Sequence, residues 1–378
     1  MNRDKKYERY ERQISLKEFG IAAQQKLLQA KVLVVGAGGL GCSALQYLVA
    51  AGVGTIGIAD YDVVALSNLH RQVLYSVDDV GLFKADVSAK KLRRLNDKIN
   101  IISYNQRLTN KNALAIIKHF DIVIDGTDNF STRYMINDAC VLLTKPLVYA
   151  AISKFEGQVA IFNVKQNGNE TAISYRDLFP TPPKDDEVLN CADAGVLGIL
   201  PGIIGTMQAN ETIKLITGIG KPLIDAMLTY NALDNSVYEF TLSLNIEAQQ
   251  WIPKDEDAFL RMDYDWLCSA EINKVFEIDI ADFDKLINDS NTIIIDVREE
   301  DEQPFVDAFK HLRISAGELK NNVSLLEKDN IVVFCQSGKR SLKAALLLKE
   351  FFNDKHIYSL KGGITEWKKQ HALQTDEK

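Results

Sequence analysis

Residues Lys31 to Asp62 read KVLVVGAGGLGCSALQYLVAAGVGTIGIADYD, and the rest of the chain is organised around them. Val32 to Val35 is a short apolar, β-branched run of the kind that forms a strand buried on both faces. Gly36-Ala37-Gly38-Gly39-Leu40-Gly41 follows at once, then a segment with helical apolar spacing at Leu45, Leu48 and Val49. Thr55 to Ala59 reads as a second strand, closed by Asp60. Glycines at a strand-to-helix turn let backbone approach phosphates, and the helix N-terminus offers unpaired N–H groups at the positive end of its dipole. An acid closing the second strand suits a ribose hydroxyl. The stretch is a nucleotide cradle in a doubly wound α/β sheet. Taken alone, it fits a nicotinamide or flavin enzyme as well as any other nucleotide user.

Polar residues further along narrow the choice. Asp60, Asn68, Arg71, Lys84 and Asp128 all fall just after expected strands or at helix starts, so all five are expected to face one crevice. Cations and acids around a glycine cradle suit a triphosphate with magnesium better than a dinucleotide. A pyrophosphate leaving group needs Arg or Lys nearby, and magnesium needs carboxylate. Each residue has a plain alternative. Arg71 could be a surface charge, Lys84 a solvated helix residue, and Asp128 the N-cap of a helix starting near Ser131.

Composition sets the bounds. A chain of 378 residues has room for two domains, and 46% hydrophobic with 25% charged residues is ordinary for a globular protein. A net charge of −7 argues against a nucleic-acid surface. The charged start MNRDKKYERYERQ has no apolar core and does not read as a signal peptide. The longest apolar run, Ala194 to Met207, is broken by glycine and proline and too short to span a bilayer. Five scattered cysteines fit a reducing compartment, so a cytoplasmic protein is expected.

Residues 1–30 read as a leading helical segment. A basic helix opens near Lys84 and runs to about Leu95. Strands are expected at Ile99 to Ser103, Ile122 to Ile124, Leu147 to Ala151 and Gln158 to Asn163, with a helix from Ser131 to Leu142. Lys165 to Cys191, proline-rich and without periodicity, is expected to be a mobile crossover loop. A long helical segment then runs to about Thr217, and strand-like runs near Leu228 and Tyr238 end the domain near residue 245. Residues 246–275 read as a linker, although Trp251, Phe259 and Trp266 suggest that it packs on something. A small α/β domain follows over 276–378, with strands at Thr292 to Val297, Ile331 to Phe334 and His356 to Leu360. Cys335 opens its loop Cys335-Gln336-Ser337-Gly338-Lys339-Arg340-Ser341. A cysteine among backbone N–H groups at a helix N-terminus should have a lowered pKa. Cys191 and Cys335 are both expected to be exposed, whereas Cys42 and Cys140 read as inert core residues and Cys268 is assigned nothing.

With these residues in view, the first domain resembles the ubiquitin-activating-type adenylyltransferases that activate sulfur-carrier proteins for molybdopterin or thiamine synthesis. The matching residues are Arg12-Gln13, GAGGLG at 36–41, DYDVV at 60–64, SNLHRQ at 67–72, Lys84, TDN at 127–129 and CADAGVLGILPG at 191–202. The second domain resembles a rhodanese through DVRE at 296–299, the cysteine loop at 335–341 and LKGGITEW at 360–367. The resemblance implies ATP binding by Arg12, Gly39, Asp60, Ser67, Asn68, Arg71, Lys84, Asp128 and Asn129. Asp128 would lie near magnesium, and Arg12 would reach the nucleotide across a homodimer interface. It implies adenylation of the C-terminal glycine of a ubiquitin-like carrier, with Arg71 and Asp128 acting on the reacting phosphate. Cys191 would take the acyl group or participate in sulfur transfer. Cys335 would carry a persulfide supplied by a donor such as a cysteine desulfurase or thiosulfate. Two other readings compete: the oxidoreductase, which leaves Arg71, Lys84, Asp128 and the second domain without roles, and a nucleotide-binding scaffold for sulfur-handling partners.

The chain departs from its relatives in one respect that bears on stability. Many of them bind a structural zinc through a C-x-x-C pair before an LFP segment and a second pair after the domain's last strand. Here the first pair's positions hold Ser174 and Asp177, and no cysteine lies between Cys191 and Cys268. That zinc is expected to be absent. In the second domain, His311-Leu312-Arg313-Ile314-Ser315-Ala316 replaces the usual proline-containing turn.

Overall fold

β1 (Lys31–Val35) sends its side chains alternately into two buried layers. Val32 and Val34 join one apolar cluster and Leu33 and Val35 the other, none of them more than 3% exposed. Each such side chain removed from water contributes about 1.5–3 kcal/mol, so the run can only be a strand at the centre of a sheet covered on both faces. The computed structural model describes residues 5–166, 171–181, 195–264, 276–299, 302–303, 305–352 and 355–375. The chain divides into two units, Met1–Cys268 and Ser269–Lys378. Among the described residues, no helix is long and apolar enough to cross a membrane.

In the first unit β1 pairs in parallel with β2 (Thr55–Ala59) on one side and with β4 (Ile122–Asp125) on the other. β3 (Asn100–Tyr104) lies outside β2, and β5 (Leu147–Ser153) outside β4. β6 (Glu156–Phe162), β7 (Ala226–Asn231) and β8 (Val237–Thr241) extend the sheet antiparallel, for a strand order of β3-β2-β1-β4-β5-β6-β7-β8. The order therefore reverses between β1 and β4, and their carboxyl ends meet where Val35 pairs with Asp125. A crevice opens outside such a switch point because the two connecting chains leave in opposite directions.

The glycine loop is sterically obligatory. Gly36 has φ +91°, and a Cβ on Gly41 would sit 1.9 Å from the Gly36 carbonyl oxygen. Only glycine permits both the turn and the close packing of α2 (Gly39–Ala51) on it. α1 (Gly20–Gln29) and the helical turns over 5–14 dock onto the far end of α2. Tyr10 is buried with its hydroxyl accepting from Asn96, and Gln13 donates to the Ala51 carbonyl. α3 (Lys84–Leu95), α4 (Ala113–Ile117), α5 (Phe130–Leu142) and α7 (Leu200–Thr217) complete the layers.

Two segments differ from their sequence reading. The expected crossover over 165–191 contains α6 (Tyr175–Leu178), where Tyr175, Arg176 and Asp177 are buried. Part of the expected linker belongs to the first unit as well. α8 (Glu256–Arg261) buries Phe259 completely, Asn110 donates to the carbonyls of Leu260 and Met262, and the Tyr264 hydroxyl donates to Asp138. Trp266 and Cys268 lie outside the described residues.

The second unit is a wholly parallel sheet in the order β11-β10-β12-β13-β9. Its strands are β9 (Phe276–Ile278), β10 (Thr292–Asp296), β11 (Leu312–Arg313), β12 (Asn330–Phe334) and β13 (His356–Leu360). α10 (Lys339–Phe351) packs Ala344, Ala345 and Leu348 on one face of the sheet. α9 (Ile280–Ile287) and α11 (Gly363–Thr375) bring Phe283 and Trp367 to Phe309 and Phe334 on the other. The 311–316 departure forms β11, with the Ile314 N–H donating to the Asp296 carbonyl.

Candidate functional site

The switch point holds a cavity of about 490 Å³. Gly36, Gly38 and Gly39 form its floor, Asp60 and Asp62 follow β2, and Arg71, Gln72 and Lys84 close one side. Thr127, Asp128 and Asn129 follow β4, with Gly195, Val196 and Pro201 opposite. α2 begins here at Gly38 without a side-chain cap, so its first N–H groups and its positive dipole end remain available to an anion.

Each carboxylate has a distinct state. Asp60 is buried and its Oδ2 accepts the Ala37 N–H at 2.7 Å, which ties β2 to the glycine loop, while Oδ1 accepts the Asp62 N–H at 2.8 Å. Each oxygen keeps a lone pair for a hydroxyl donor. Burial pushes the Asp60 carboxyl up, against the pull of the two N–H groups. Asp128 is exposed to the cavity, and among the described residues its carboxylate has no protein partner. The N-cap of α5 is Asn129, whose Oδ1 accepts from the Thr132 N–H at 2.9 Å. The plain reading of Asp128 as that cap is therefore overturned.

The cations are held, not loose. Lys84 is buried and pairs with the exposed Asp62 at 2.9 Å. Arg71 donates to the Ser67 carbonyl at 3.1 Å and, because a guanidinium only donates, to an unprotonated His70 Nε2 at 2.8 Å. Asn68 does not line the cavity. Its Oδ1 caps the preceding turn through the Ala65 N–H, and its carbonyl accepts the N–H groups of Arg71 and Gln72. It builds the loop that presents them, which corrects the expectation that all five polar residues share the crevice wall. Ser67 contributes only its carbonyl to Arg71 and is likewise off the lining. Arg12 is exposed on the turn Glu11–Ile14, outside this cavity. Cys191 lies outside the described residues.

Sequence reasoning missed several residues that line or support the cavity. Asp125, the last residue of β4, accepts from the Thr127 N–H and hydroxyl at 2.9 and 2.6 Å, and from Arg133 Nε at 3.0 Å. Arg133 is buried over the Tyr149 ring at 5.1 Å and donates to the Thr127 carbonyl, so this ion pair shapes the turn that presents Asp128. Gln72 is 4% exposed, and its buried Oε1 has no partner among the described residues. Gln106, Arg107 and Leu108 follow β3 and also line the wall. The edge rule that singled out Asp60 would have found them.

Ser174 and Asp177, at the positions where the resemblance would put a first zinc pair, bond to each other. Asp177 Oδ2 accepts from the Ser174 N–H at 2.7 Å and from its hydroxyl at 2.9 Å. Oδ1 accepts from the Asn245 N–H at 2.9 Å and the Gln249 amide at 3.3 Å. One carboxylate thus clasps α6 to the chain that follows β8. Neither its chemistry nor its spent oxygens suit a tetrahedral thiolate site.

The second unit has a site of its own at Cys335. Cys335 is 1% exposed, which corrects the expectation of an exposed thiol. It directly follows the buried β12, and its sulfur lies beneath the loop, where N–H groups converge. The Ser341 N–H approaches Sγ at 3.3 Å, and the Ser341 hydroxyl, supported by Ser359 at 3.0 Å, lies at 3.5 Å. Burial pushes the thiol up, but the Ser341 hydroxyl and the N–H groups of Ser341, Ser337 and Arg340 outweigh it and hold it below its ordinary value. Cys42 and Cys140 are buried core residues, and burial pushes the Cys42 thiol up to about 12. Neither is a nucleophile at neutral pH.

Both units match known families. Residues 10–250 match the ThiF family and residues 279–370 the rhodanese-like domain. The sulfur carrier protein adenylyltransferase of Thermus thermophilus is 50% identical over 63% of this chain and 88% of its own length. The probable adenylyltransferase/sulfurtransferase MoeZ of Mycobacterium tuberculosis is 39% identical over 96% of this chain and 93% of its own. Among solved structures, E. coli MccB with AMPCPP and MccA superposes with a TM-score of 0.54 at 21% identity, covering 65% of this chain and 74% of that one, which speaks for the fold alone. The ThiF match covers well over half of the chain and the MoeZ match nearly all of it, and the chain belongs to the ThiF family, with a rhodanese-like domain at its C-terminal side.

Proposed function

We propose that the first unit uses ATP and magnesium to adenylate the C-terminal glycine of a ubiquitin-like sulfur carrier, and that Cys335 supplies sulfur for its thiocarboxylate. The observation that carries the reading is the uncapped N-terminus of α2 beside Arg71, Lys84 and an Asp128 that has no protein partner among the described residues, all in one cavity. A carboxylate oxygen of the carrier attacks the α-phosphorus, the bond to pyrophosphate breaks, and pyrophosphate leaves with the electron pair. The α2 N–H groups and Gly39 take the phosphate chain, and Asp60 accepts a ribose hydroxyl. Arg71 and Lys84 meet charge on the leaving group. Asp128, beside Asn129, holds magnesium, which neutralises phosphate charge when bound. Ser67 and Asn68 act by shaping the Arg71 loop. An oxidoreductase would leave these cations and Asp128 without work.

Pyrophosphate–ATP exchange that depends on the carrier tests this directly. Arg71→Ala and Asp128→Ala should each slow it about a hundredfold or more. Exchange at the parental rate in a folded variant removes that residue from the reaction. We assign Arg12, exposed and outside its own cavity, to the nucleotide of a partner subunit in a homodimer. Arg12→Ala should then fail alone, and mixing it with Asp128→Ala protein should restore exchange, because one mixed site is intact. No recovery on mixing would remove the shared site.

The persulfide on Cys335 comes from a donor such as a cysteine desulfurase or thiosulfate. Cys191 is proposed to take the acyl group or participate in the sulfur transfer. The Asp177 clasp leads us to propose that no structural zinc is bound. Elemental analysis of tag-free protein should find no stoichiometric zinc, and a chelator should leave the melting temperature unchanged. Near-equimolar zinc would refute this.

A further inference from the structure

The segment after β10 and the cysteine loop share a rim, and the rim is closed by an ion pair that the sulfur chemistry does not require. Arg340, in the first turn of α10, is gripped by Glu302 through Nη1–Oε1 at 2.5 Å and Nη2–Oε2 at 2.6 Å. Glu302 Oε1 also accepts the Glu299 N–H at 3.0 Å, which anchors the carboxylate to the segment following β10. The side chains are only partly exposed, 41% for Arg340 and 24% for Glu302. A bidentate pair in that setting is the kind of surface ion pair that has measurable weight. Arg340 and the Glu299 N–H hold the Glu302 carboxyl down to about 2, so it stays ionised wherever Cys335 reacts.

Arg340 is also the loop residue tied to the nucleophile. Its N–H is among those that stabilise the Cys335 thiolate, and the thiolate in turn favours the charged guanidinium. The neighbouring arginines are committed elsewhere. Arg298 is fully buried against Asp296, and Arg313 donates to the carbonyls of Glu299 and Glu302. Among these three arginines, Arg340 is the one at the loop itself, and Glu302 occupies its fork.

We propose that Glu302 selects the sulfur donor, by holding the Arg340 fork away from small dianions such as thiosulfate and so favouring a persulfide presented on a protein. This rests on the sulfurtransferase reading of Cys335. Thiosulfate brings two charges into the pocket and needs a cation there, whereas a persulfide brings at most one and its carrier docks through other surface. The chemistry is the same for either donor. The Cys335 thiolate attacks the outer sulfur, a new S–S bond forms, and the donor's S–S bond breaks. Sulfite or the donor's thiolate leaves with the electron pair.

The test uses full-length Glu302→Gln and Glu302→Ala, with sulfur transfer from thiosulfate to cyanide as the readout. KM for thiosulfate should fall about tenfold, or about 1.4 kcal/mol, with kcat changed less than about twofold. Adding Arg340→Ala should remove the gain. Alkylation of Cys335 by uncharged iodoacetamide should proceed at the parental rate, which a loosened loop would not allow. An unchanged KM, or a gain that survives Arg340→Ala, overturns the proposal. If parental Cys335 gains no sulfur atom by intact mass from thiosulfate or from a persulfidated cysteine desulfurase, the sulfurtransferase reading falls and this proposal with it. An unchanged KM in protein that does take up sulfur sinks the donor selection alone.

Discussion

In Cys335→Ala protein, acyl-adenylate accumulates in the presence of ATP and carrier, and neither thiocarboxylate nor sulfur transfer from thiosulfate is detected. The loss is total because the sulfur that moves is carried on Sγ. The Ser341 hydroxyl and the loop N–H groups can stabilise a thiolate but cannot replace one. The adenylation half should be untouched, since among the described residues every one lining its cavity lies at or before Pro201. Pyrophosphate exchange at the parental rate, beside absent thiocarboxylate by mass spectrometry, is the expected pair of results. Loss of exchange in folded Cys335→Ala protein would mean that the rhodanese-like unit completes the first site instead of feeding it.

The sheet and its glycine loop were legible because their signals are local. An apolar run, a strand-to-helix turn of glycines and an acid at the next strand's end lie within one stretch from Lys31 to Asp62. What was not legible depends on partners distant in sequence or on backbone detail. Asp128 and Asn129 both suit an N-cap, and which one caps is settled by the Asp125–Thr127–Arg133 network, which sets the turn before α5. Cys335 looked exposed because it opens a polar loop, yet the loop's N–H groups can converge on sulfur only if the side chain points under them. The proline-rich 165–191 stretch concealed Arg176, whose partner Asp138 is 38 residues earlier on a different element. A charged residue in a polar segment gives no sign of burial until its counter-ion is in view.

That buried pair carries the largest expected stability effect. Arg176 and Asp138 have no exposed side-chain surface, and they meet in a fork, Nε–Oδ1 and Nη2–Oδ2 both at 2.7 Å. Tyr264 and Asn137 donate to the same carboxylate, and Arg176 also donates to the Pro180 carbonyl. Asp138 sits on α5, which starts at the Asp128–Asn129 turn, so the pair joins α6 and the chain up to Tyr264 to the helix behind the crevice. Arg176→Met leaves a buried carboxylate without its cation, at a cost of about 3–5 kcal/mol. For a unit of this size, that is a fall in melting temperature of roughly 10 °C. Burial already pushes the Asp138 carboxyl up against the pull of Arg176, and without Arg176 nothing comparable opposes it. A carboxyl whose folded pKa lies above its unfolded value stabilises the fold only while it is protonated. The deficit of Arg176→Met should therefore narrow as pH falls from neutral towards the unfolded carboxyl range. Arg176→Met combined with Asp138→Leu should recover most of the loss, since a pair replaced by apolar groups leaves no charge stranded. A single variant that melts with the parent, or a deficit that widens on acidification, would mean the pair is solvated in solution and that α6 is held by the Asp177 clasp and aromatic packing instead.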